Sequence, residues 1–413
     1  MKHGMMVFYL EKQYTRGEKM TELLAPAGDL EKLKIALLYG ADAVFIGGQQ
    51  FSLRARASNF TLEDMKEATT FAHQLGKKVY VTTNIIPHLE DKENLIEYLK
   101  GLEEAKIDAI IAASPYIIET ALQHTNLEVH ISTQQSAINT PTVNFWAQKG
   151  ASRVVLGREL TVEEIAEITK GTDTEIEVFI HGGMCMSYSG RCSLSNNMTN
   201  RDANRGGCAH SCRWNYDLKE DEQSISENIP FSMSSKDLEA IKQITKLIDA
   251  NVSSLKIEGR MKSLHYIATV VSTYRELIDE YQATKTIKDY NYYVEKLKKA
   301  ENRLASTGYL EGLPGVEQQL YEMRNETPNQ NFIGIVLSYD KKTQTAVIEQ
   351  RNFFENGAAV EVLSHKGKEK YFNITNLKDI EGNSLEVARR PKEKLIITTP
   401  YELHPYDLIR CVS

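Results

Sequence analysis

From Thr21 onward, short apolar runs alternate with longer segments of helical periodicity. Eight of these runs show the nearly continuous hydrophobicity that is typical of parallel strands covered on both faces. They are TELLAPAG, ADAVFIGG, KKVYVTTNI, IDAIIAASP, LEVHISTQ, ASRVVLGRE, EIEVFIHGG and VSSLKIEGR. Amphipathic segments follow most of them, beginning with DLEKLKIALLYG, which Asp29 can cap, and ending with a long helix over Lys262–Tyr281.

Eight strand–helix units in about 260 residues have the size and rhythm of a (β/α)8 TIM-like barrel, an α/β fold. A doubly wound parallel sheet is the main alternative. That fold usually carries a glycine-rich phosphate turn after its first strand, whereas this chain has only the short APAGD there. We therefore predict a barrel over residues 20–285, preceded by an N-terminal extension over residues 1–19.

The pattern changes after the barrel. Residues 286–330 begin as a charged helical segment and continue as a linker punctuated by Gly, Pro and Asn. After Phe332 the apolar positions recur with period two, in short strands separated by turns. Residues 331–413 are therefore predicted to form a small β-barrel domain.

The ends of the eight apolar runs carry polar groups, which a barrel would gather at one mouth, where active sites are built. Four of these groups are candidate acids or bases by residue type and location. They are His130, Glu159, His181 and Glu258. His181 is an equally good candidate for a hydrogen bond to the loop that follows it.

Composition narrows the class of protein. The net charge is −7, with 41% hydrophobic and 25% charged residues, as in ordinary globular proteins. No stretch reaches the roughly 20 apolar residues that span a bilayer, and no secretory signal is recognisable. A cytoplasmic protein without a membrane partner is expected. A general coat of positive charge is excluded, although a local basic groove is not.

Four of the five cysteines lie in the loop over residues 181–214, with the spacing Cys185-x6-Cys192-x15-Cys208-x3-Cys212. A chain with so few cysteines and no export signal keeps them reduced, so this cluster indicates metal binding. Thiolates suit zinc or an iron–sulfur cluster, and the spacing alone is compatible with either. Four unliganded thiols are the alternative. Cys411, in a late strand, is expected to be a packed core residue.

The segment EVFIHGGMCMSYSGRCSLS resembles the signature of the collagenase-like peptidase family of unknown catalytic type. The residues that match its pattern are Glu177, Phe179, Gly182, Met184, Cys185, Gly190, Cys192 and Ser195. Gly183 departs from it, because Ser or Ala is usual there. Further blocks with the same likeness include ISTQQSAIN, MTNRDANRGGCAHSCRW and SSLKIEGRMKS. The resemblance extends over nearly the whole chain from Met20.

Despite its peptidase name, this family is largely one of tRNA, rRNA and quinone hydroxylation proteins. Members with the extra β-domain resemble proteins that form 5-hydroxyuridine at the tRNA wobble position. The resemblance implies a [4Fe–4S] cluster rather than zinc, a requirement for prephenate, and independence from molecular oxygen. The implied ligands are Cys185, Cys192, Cys208 and Cys212.

Prephenate carries two carboxylates, which arginine forks recognise well. The residues expected around prephenate and a flipped-out uracil are Arg54, Arg56, Asn84, Gln134, Arg158, Lys256 and Arg260. The anticodon loop is expected to lie across Arg201, Arg205 and Arg213 and the ARRPKEK edge of the β-domain, with Arg389 and Arg390. A homologous family member is a candidate partner subunit.

Two other functions remain open at this point. One is a true peptidase or hydrolase, although the chain has no HExxH, GxSxG or Walker-type motif. A thiolate bound to iron also cannot serve as a free nucleophile. The other is a non-catalytic, metal-bearing scaffold that binds RNA.

Overall fold

The structure, a computed structural model, describes residues 21–53, 59–225, 231–300, 303–320 and 331–412. The predicted N-terminal extension over residues 1–19 lies outside these ranges, as do Arg54 and Arg56.

Eight parallel strands close into a barrel. They are β1 Glu22–Pro26, β2 Ala43–Gly47, β3 Lys78–Thr83, β4 Ala109–Ala112, β5 Glu128–Ile131, β6 Arg153–Val155, β7 Glu175–Gly182 and β8 Ser254–Ile257. Each strand pairs in parallel with the next, and β8 pairs with both β7 and β1. The predicted TIM-like barrel is confirmed, and all eight apolar runs contribute a strand.

Helices cover the outside of this barrel, which explains why its strands are hydrophobic on both faces. The covering helices are α1 Leu30–Leu38, α2 Leu62–Gln74, α3 Leu95–Glu104, α4 Pro115–His124, α5 Thr140–Gln148, α6 Val162–Lys170, α8 Ile244–Asp249, α9 Leu264–Thr284 and α10 Tyr290–Lys298, whereas α7 Leu194–Thr199 lies in the cysteine-rich loop. Asp29 caps α1 as expected, because its carboxylate accepts a hydrogen bond of 2.9 Å from the Lys32 amide. Within the described residues, no helix has the length and hydropathy needed to cross a membrane.

The segment after α9 does more than link two domains. Its helix α10 is followed by the short strand Ala305–Ser306, which pairs in parallel with Asp237–Glu239. Asp237–Glu239 in turn pairs antiparallel with the end of β7. A part of the predicted linker therefore extends the sheet beside the strand that leads into the cysteine-rich loop.

The last part of the chain forms an antiparallel β-domain, which confirms the predicted second fold element. Its main strands are β9 Phe332–Asp340, β10 Thr345–Gln350, β11 Ala359–Leu363, β12 Lys370–Asn373, β13 Thr375–Asp379, β14 Lys394–Thr398 and β15 Leu408–Cys411. They form one sheet in the order β12-β11-β15-β9-β10-β14-β13.

The β-domain packs directly on the barrel helices. Phe332 and Leu408 belong to the same buried hydrophobic cluster as the barrel core. The hydroxyl of Tyr39, at the end of α1, donates to the carbonyl oxygen of Leu363 at 2.7 Å. Arg410 donates to Glu361 at 2.6 Å, and its guanidinium also lies against His265 of α9. These contacts hold the two parts in one arrangement.

Candidate metal centre at the barrel mouth

The cysteine loop, residues 181–214, lies on the carboxyl ends of the strands, which we call the barrel mouth. Gly190 adopts a φ of +73°, and a β-carbon there would overlap the backbone of Gln134. Asn84 donates to the side chain of Gln134 at 2.9 Å, and so does Ser132 at 3.1 Å. The predicted pair Asn84 and Gln134 is therefore brought together at the mouth, directly beneath the loop.

Two predicted site residues at the end of β6 hold this loop. One carboxylate oxygen of Glu159 accepts from the amide of Ser189 at 2.8 Å and from its hydroxyl at 3.0 Å. Arg158 donates to the carbonyl oxygen of Gly183 at 2.7 Å, and its guanidinium lies 4.0 Å from the centre of the Phe179 ring. Because both residues contact the loop backbone, the structure gives them a role in positioning the loop.

Glu159 keeps one oxygen available. Its Oε2 atom is buried and, within the described residues, has no hydrogen-bond partner. A buried carboxylate oxygen without a partner is costly. This oxygen is therefore an atom of the mouth that can accept a hydrogen bond from a ligand or bind a proton.

Inside the loop, Ser195 organises the backbone around the cysteines. Its hydroxyl donates to the carbonyl oxygen of Arg201 at 2.8 Å and accepts from the amide of Ala209 at 3.0 Å. The side chain is almost fully buried. Ser195 thus joins the part of the loop that carries Cys192 to the part that carries Cys208.

The four loop thiols are close enough to influence one another. Burial raises the pKa of Cys185, and the neighbouring Cys192 and Cys208 raise it further. Burial also raises the pKa of Cys212, with added contributions from Cys185, Cys208 and Cys192. All four are free thiols. The four thiols therefore lie in one part of the mouth, and their role as one ligand set stays a prediction.

The donor set of these four thiols, the quartet, consists of sulfur alone. Thiolates suit zinc or an iron–sulfur cluster, so the side chains fit either group by their chemistry. Within the described residues, no group of three or more His, Cys, Asp or Glu side chains is already arranged to hold a metal ion.

Arg260 follows β8, where the sequence placed it, but its side chain is buried. It is 3% exposed, and its terminal nitrogens donate to Ser52 at 3.1 Å, Thr82 at 3.2 Å and Asn59 at 3.0 Å. A β-carbon at Gly47 would overlap its guanidinium. This corrects the expectation of an open arginine fork, because Arg260 holds the chain on both sides of residues 54–58 to the barrel.

Lys256 and His130 lie inside the barrel, below the mouth. The ammonium group of Lys256 donates to Glu177 at 2.7 Å and lies 4.5 Å from the centre of the Phe45 ring. His130 is fully buried against the edge of the Tyr80 ring, and burial lowers its pKa. The structure therefore places His130 as a neutral core residue, away from the predicted catalytic position.

Below these residues, the barrel floor contains an ion network. The barrel floor is the end of the barrel at which the N-terminal ends of the strands meet. Its ion network consists of Glu22, Arg153, Glu175 and Glu177. Arg153 contacts all three carboxylates, at 2.6 Å for Glu22, 2.7 Å for Glu175 and 3.2 Å for Glu177. Burial alone would raise the pKa of Glu177, but Lys256 and Arg153 lower it overall. The floor charges therefore compensate one another.

His181 faces outward, away from the mouth. Its Nδ1 atom lies 3.3 Å from the hydroxyl of Tyr274, and its ring also contacts Tyr266, both on α9. Burial, followed by the charge of Lys262, lowers its pKa to about 3. This corrects the prediction of a catalytic or loop-bonding His181. Glu258, whose amide donates to the carbonyl oxygen of His181 at 2.8 Å, is half-buried at the end of β8.

The predicted RNA-binding arginines differ in availability. Arg205 forms an ion pair with Asp91 and a second one of 3.3 Å with Glu90, so it joins the loop to the segment after β3. Arg201 is half-buried and donates to the carbonyl oxygen of Cys208 at 3.4 Å. Burial raises the pKa of the Cys212 thiol, and the charge of Arg213 partly opposes this rise. Arg389 and Arg390 are exposed at the edge of the β-domain.

Residues 28–320 match the family described as Peptidase family U32, and residues 328–410 match the Peptidase family U32 C-terminal domain. The chain belongs to peptidase family U32. Its U32 relatives include "tRNA hydroxylation protein P1" of Bacillus subtilis, 48% identical over 400 residues and 95% of each chain. "tRNA hydroxylation protein P" of Escherichia coli is 33% identical over 92% of this chain and 94% of its own. "Collagenase" of Porphyromonas gingivalis is 36% identical over 63% and 66%.

Within this U32 chain, sequence reasoning missed several residues that shape the mouth. Ser189 donates to the carboxylate of Glu159, Ser195 binds the loop backbone, and Ser52 and Asn59 accept from Arg260. Only Ser195 had a signal, since it is the last residue of the matched signature. Short hydroxyl and amide side chains are common in loops, and nothing in their spacing distinguishes those that become buried.

Proposed function

We propose that this protein hydroxylates tRNA, forming 5-hydroxyuridine at the wobble position. The observation that carries the proposal is a quartet of free thiols on a loop fastened over the mouth of the barrel. Its relatives named as tRNA hydroxylation proteins support the same reaction class, one of them along 95% of both chains. Prephenate is the proposed co-substrate, and no molecular oxygen is used.

Cys185, Cys192, Cys208 and Cys212 would hold a [4Fe–4S] cluster. Their exclusively sulfur donor set suits such a cluster, and the family resemblance implies it rather than zinc. When bound, such a cluster supplies one-electron chemistry within reach of the mouth. Ser195 and Glu159 keep the loop backbone, and with it the thiols, in place during turnover.

The remaining groups of the mouth would bind and orient the substrates. Arg158 is half-buried beside Phe179, where a carboxylate entering the mouth would meet a positive charge with little competing water. The free oxygen of Glu159 could accept a proton or a hydrogen bond from a uracil edge or a hydroxyl group. A base in the anticodon loop can be splayed out to reach such a pocket.

A peptidase mechanism has less support. Of the two histidines that the sequence named as candidate bases, His130 packs on Tyr80 and His181 packs on Tyr266 and Tyr274, so neither of these two stands beside a loop thiol as a Cys–His dyad requires. A metal-bearing scaffold without catalysis would share the same thiol quartet. Only a measurement of activity distinguishes this scaffold from the proposed hydroxylating protein.

Nucleoside mass spectrometry tests the function. A strain lacking this protein should lose 5-hydroxyuridine from its tRNA, and the wild-type chain should restore it with or without oxygen. Cys192→Ala should not restore it, whereas Cys411→Ala, a matched change in the β-domain, should. Restoration by Cys192→Ala would refute the role of the quartet, and an unchanged nucleoside profile in the deletion strain would refute the reaction.

A further inference from the structure

A cavity of about 490 Å³ lies at the rim of the barrel mouth, between the segments that follow β3 and β4. Its walls come from the segment 86–92 and from Ser114 and Tyr116 at the start of α4. The amide of Ile86 donates to the carbonyl oxygen of Asn204 at 3.1 Å, so the cavity adjoins the cysteine loop. None of the described residues that were predicted to bind substrate lines it. We call it the rim cavity.

Ser114 leaves a hydroxyl group available in the rim cavity. It is the N-cap residue of α4, where a serine side chain ordinarily accepts a hydrogen bond from the first turn of the helix. Here the side chain makes no such bond, and it has no other hydrogen-bond partner within the described residues. Only 6% of Ser114 is exposed, and what is exposed lines the cavity. A nearly buried hydroxyl without a partner is costly, so it favours a ligand at this point.

The first turn of α4 adds two backbone donors. Pro115 has no N–H group, and the amide of Ile118 donates to the carbonyl oxygen of Ser114 at 3.0 Å. The amides of Tyr116 and Ile117 have no acceptor inside the helix, as is general for a first turn, and none elsewhere in the described part of the chain. Amides at the positive end of a helix dipole attract an anion.

The charged side chains of the rim cavity also suit an anion. Lys92 lines it and, within the described residues, forms no ion pair. Glu90 is its one carboxylate, and it is compensated by Arg205 at 3.3 Å and lies 3.9 Å from His88. The cavity therefore combines a cation with a hydroxyl and two amide donors, which is a set of partners for a phosphate or a carboxylate.

The shape of the rim cavity favours one unit of a polymer over a free metabolite. Sites for small molecules bury about 70–90% of the ligand surface. Here the walls are open, since Leu89 is 78% exposed and Tyr116 is 41% exposed. An open site suits a nucleotide whose backbone continues on both sides. The ring of Tyr116 offers a base a face on which to stack, next to the amides that would hold a phosphate.

We propose that the rim cavity binds one nucleotide of the anticodon loop next to the target uridine, with the phosphate at the start of α4 and the base on Tyr116. Holding this neighbour at the rim keeps the strand splayed while the target base enters the mouth. Backbone contacts and stacking carry no base code, so the cavity positions the RNA without selecting its sequence. This inference rests on the proposed tRNA substrate.

The affinity of single-site variants for an anticodon stem-loop tests the rim cavity. Ser114→Ala should weaken binding by about 10- to 150-fold, the range for one hydrogen bond to a charged group. Tyr116→Ala should weaken it by about 5- to 150-fold, the range for one stacked base. Tyr292→Ala is the matched control, since Tyr292 is 44% exposed on α10, away from the mouth. Because the Ser114 hydroxyl caps no amide, Ser114→Ala should leave the urea unfolding midpoint unchanged.

Changes to the RNA identify the phosphate. A neutral methylphosphonate introduced at one position at a time should, at one position beside the wobble uridine, weaken binding to the wild type more than binding to Ser114→Ala. The variant has already lost part of that contact. Lys92→Ala should also lower the slope of log affinity against log salt concentration by about 0.7, as expected for one phosphate on a single strand.

Binding of prephenate distinguishes an RNA phosphate from the carboxylate of a free metabolite. Wild type and Ser114→Ala should bind prephenate with equal affinity. A weaker affinity for prephenate in Ser114→Ala, with the stem-loop bound as in the wild type, would assign the rim cavity to the metabolite and overturn the inference.

Three further results would also overturn it. These are unchanged stem-loop affinity in both Ser114→Ala and Tyr116→Ala, methylphosphonate effects that are the same in wild type and Ser114→Ala, and no binding of the stem-loop at all. Failure of the proposed function looks different. The stem-loop would then bind with the expected effects of the variants, while nucleoside analysis found no 5-hydroxyuridine dependent on this protein.

Discussion

The two ends of the barrel both concentrate polar side chains, but they use them differently. At the floor, Arg153 and Lys256 meet the carboxylates of Glu22, Glu175 and Glu177 at hydrogen-bond distances, so each described charge there has an internal partner. At the mouth, polar groups fasten a loop whose four thiols have no disulfide and whose neighbouring Glu159 keeps an unpartnered oxygen. Charges that are internally compensated stabilise a fold, whereas groups left without partners are available for a ligand.

The largest expected difference concerns metal content. Cys208→Ser should remove most of the iron and sulfide, and the brown colour, from anaerobically purified protein, because one ligand of the cluster is lost. Cys411→Ser, in β15, should keep them. Iron and sulfide analysis with absorption spectroscopy provides the measurement. Full iron content in Cys208→Ser, or stoichiometric zinc in the wild-type protein, would contradict the assignment.

A floor substitution should instead affect stability. Arg153→Met leaves three carboxylates near one another with reduced compensation, and should lower the free energy of unfolding by about 3–5 kcal/mol. The matched change Arg205→Met breaks a more exposed pair and should cost about 1 kcal/mol or less. Urea denaturation of the metal-free proteins measures both. Equal losses of unfolding free energy in the two variants would show that the floor network stabilises the fold no more than a more exposed ion pair does.

The position of His181 predicts a dependence of stability on pH. Its pKa is about 3 in the folded protein and about 6.5 when unfolded, so the unfolded state binds the extra proton between these values. Stability is therefore lost as pH falls from 6.5 toward 3, by about 1.4 kcal/mol per pH unit from this residue. Between pH 6 and 4.5, the free energy of unfolding of His181→Asn should fall less steeply than that of the wild type, by about 1.4 kcal/mol per pH unit. If His181→Asn and the wild type showed the same pH dependence of stability, His181 would be exposed to solvent in the folded protein.

The smallest effect is expected at the edge of the β-domain. Arg389→Ala combined with Arg390→Ala should weaken tRNA binding a few-fold and lower the salt dependence of binding by roughly one to two phosphate contacts. Lys341→Ala, an exposed cation on another turn of the domain, is the control. Measuring tRNA binding at several salt concentrations distinguishes the double arginine variant from the Lys341→Ala control. An unchanged slope would remove this edge from the RNA interface.

Much of this architecture could be predicted from local pattern. The eight apolar runs became eight strands because parallel strands buried on both faces require continuous hydrophobicity, and Asp29 capped its helix because capping depends on neighbouring residues alone. The cysteine spacing likewise placed four thiols in one loop, which the structure fastens at the barrel mouth, while their role as one ligand set stays a prediction.

The direction of individual side chains depended on the assembled barrel. The pairing of β7 with β8 shifts register between Lys256 and Ile257 of β8. These two neighbours pair with Phe179 and His181 of β7, so β7 has one extra residue between them. Such a bulge reverses the alternation of faces. Phe179 therefore faces the interior while His181 faces α9. Strand periodicity without the partner strand could not show this shift.

The sequence alone thus determined which segments form strands and helices, because those properties depend on local periodicity. Only the tertiary structure decided that Arg260 and His130 are buried, that Arg153 compensates the floor, and that Ser114 lines a cavity. Burial and charge compensation depend on residues far apart in the chain, which only the closed barrel brings into contact.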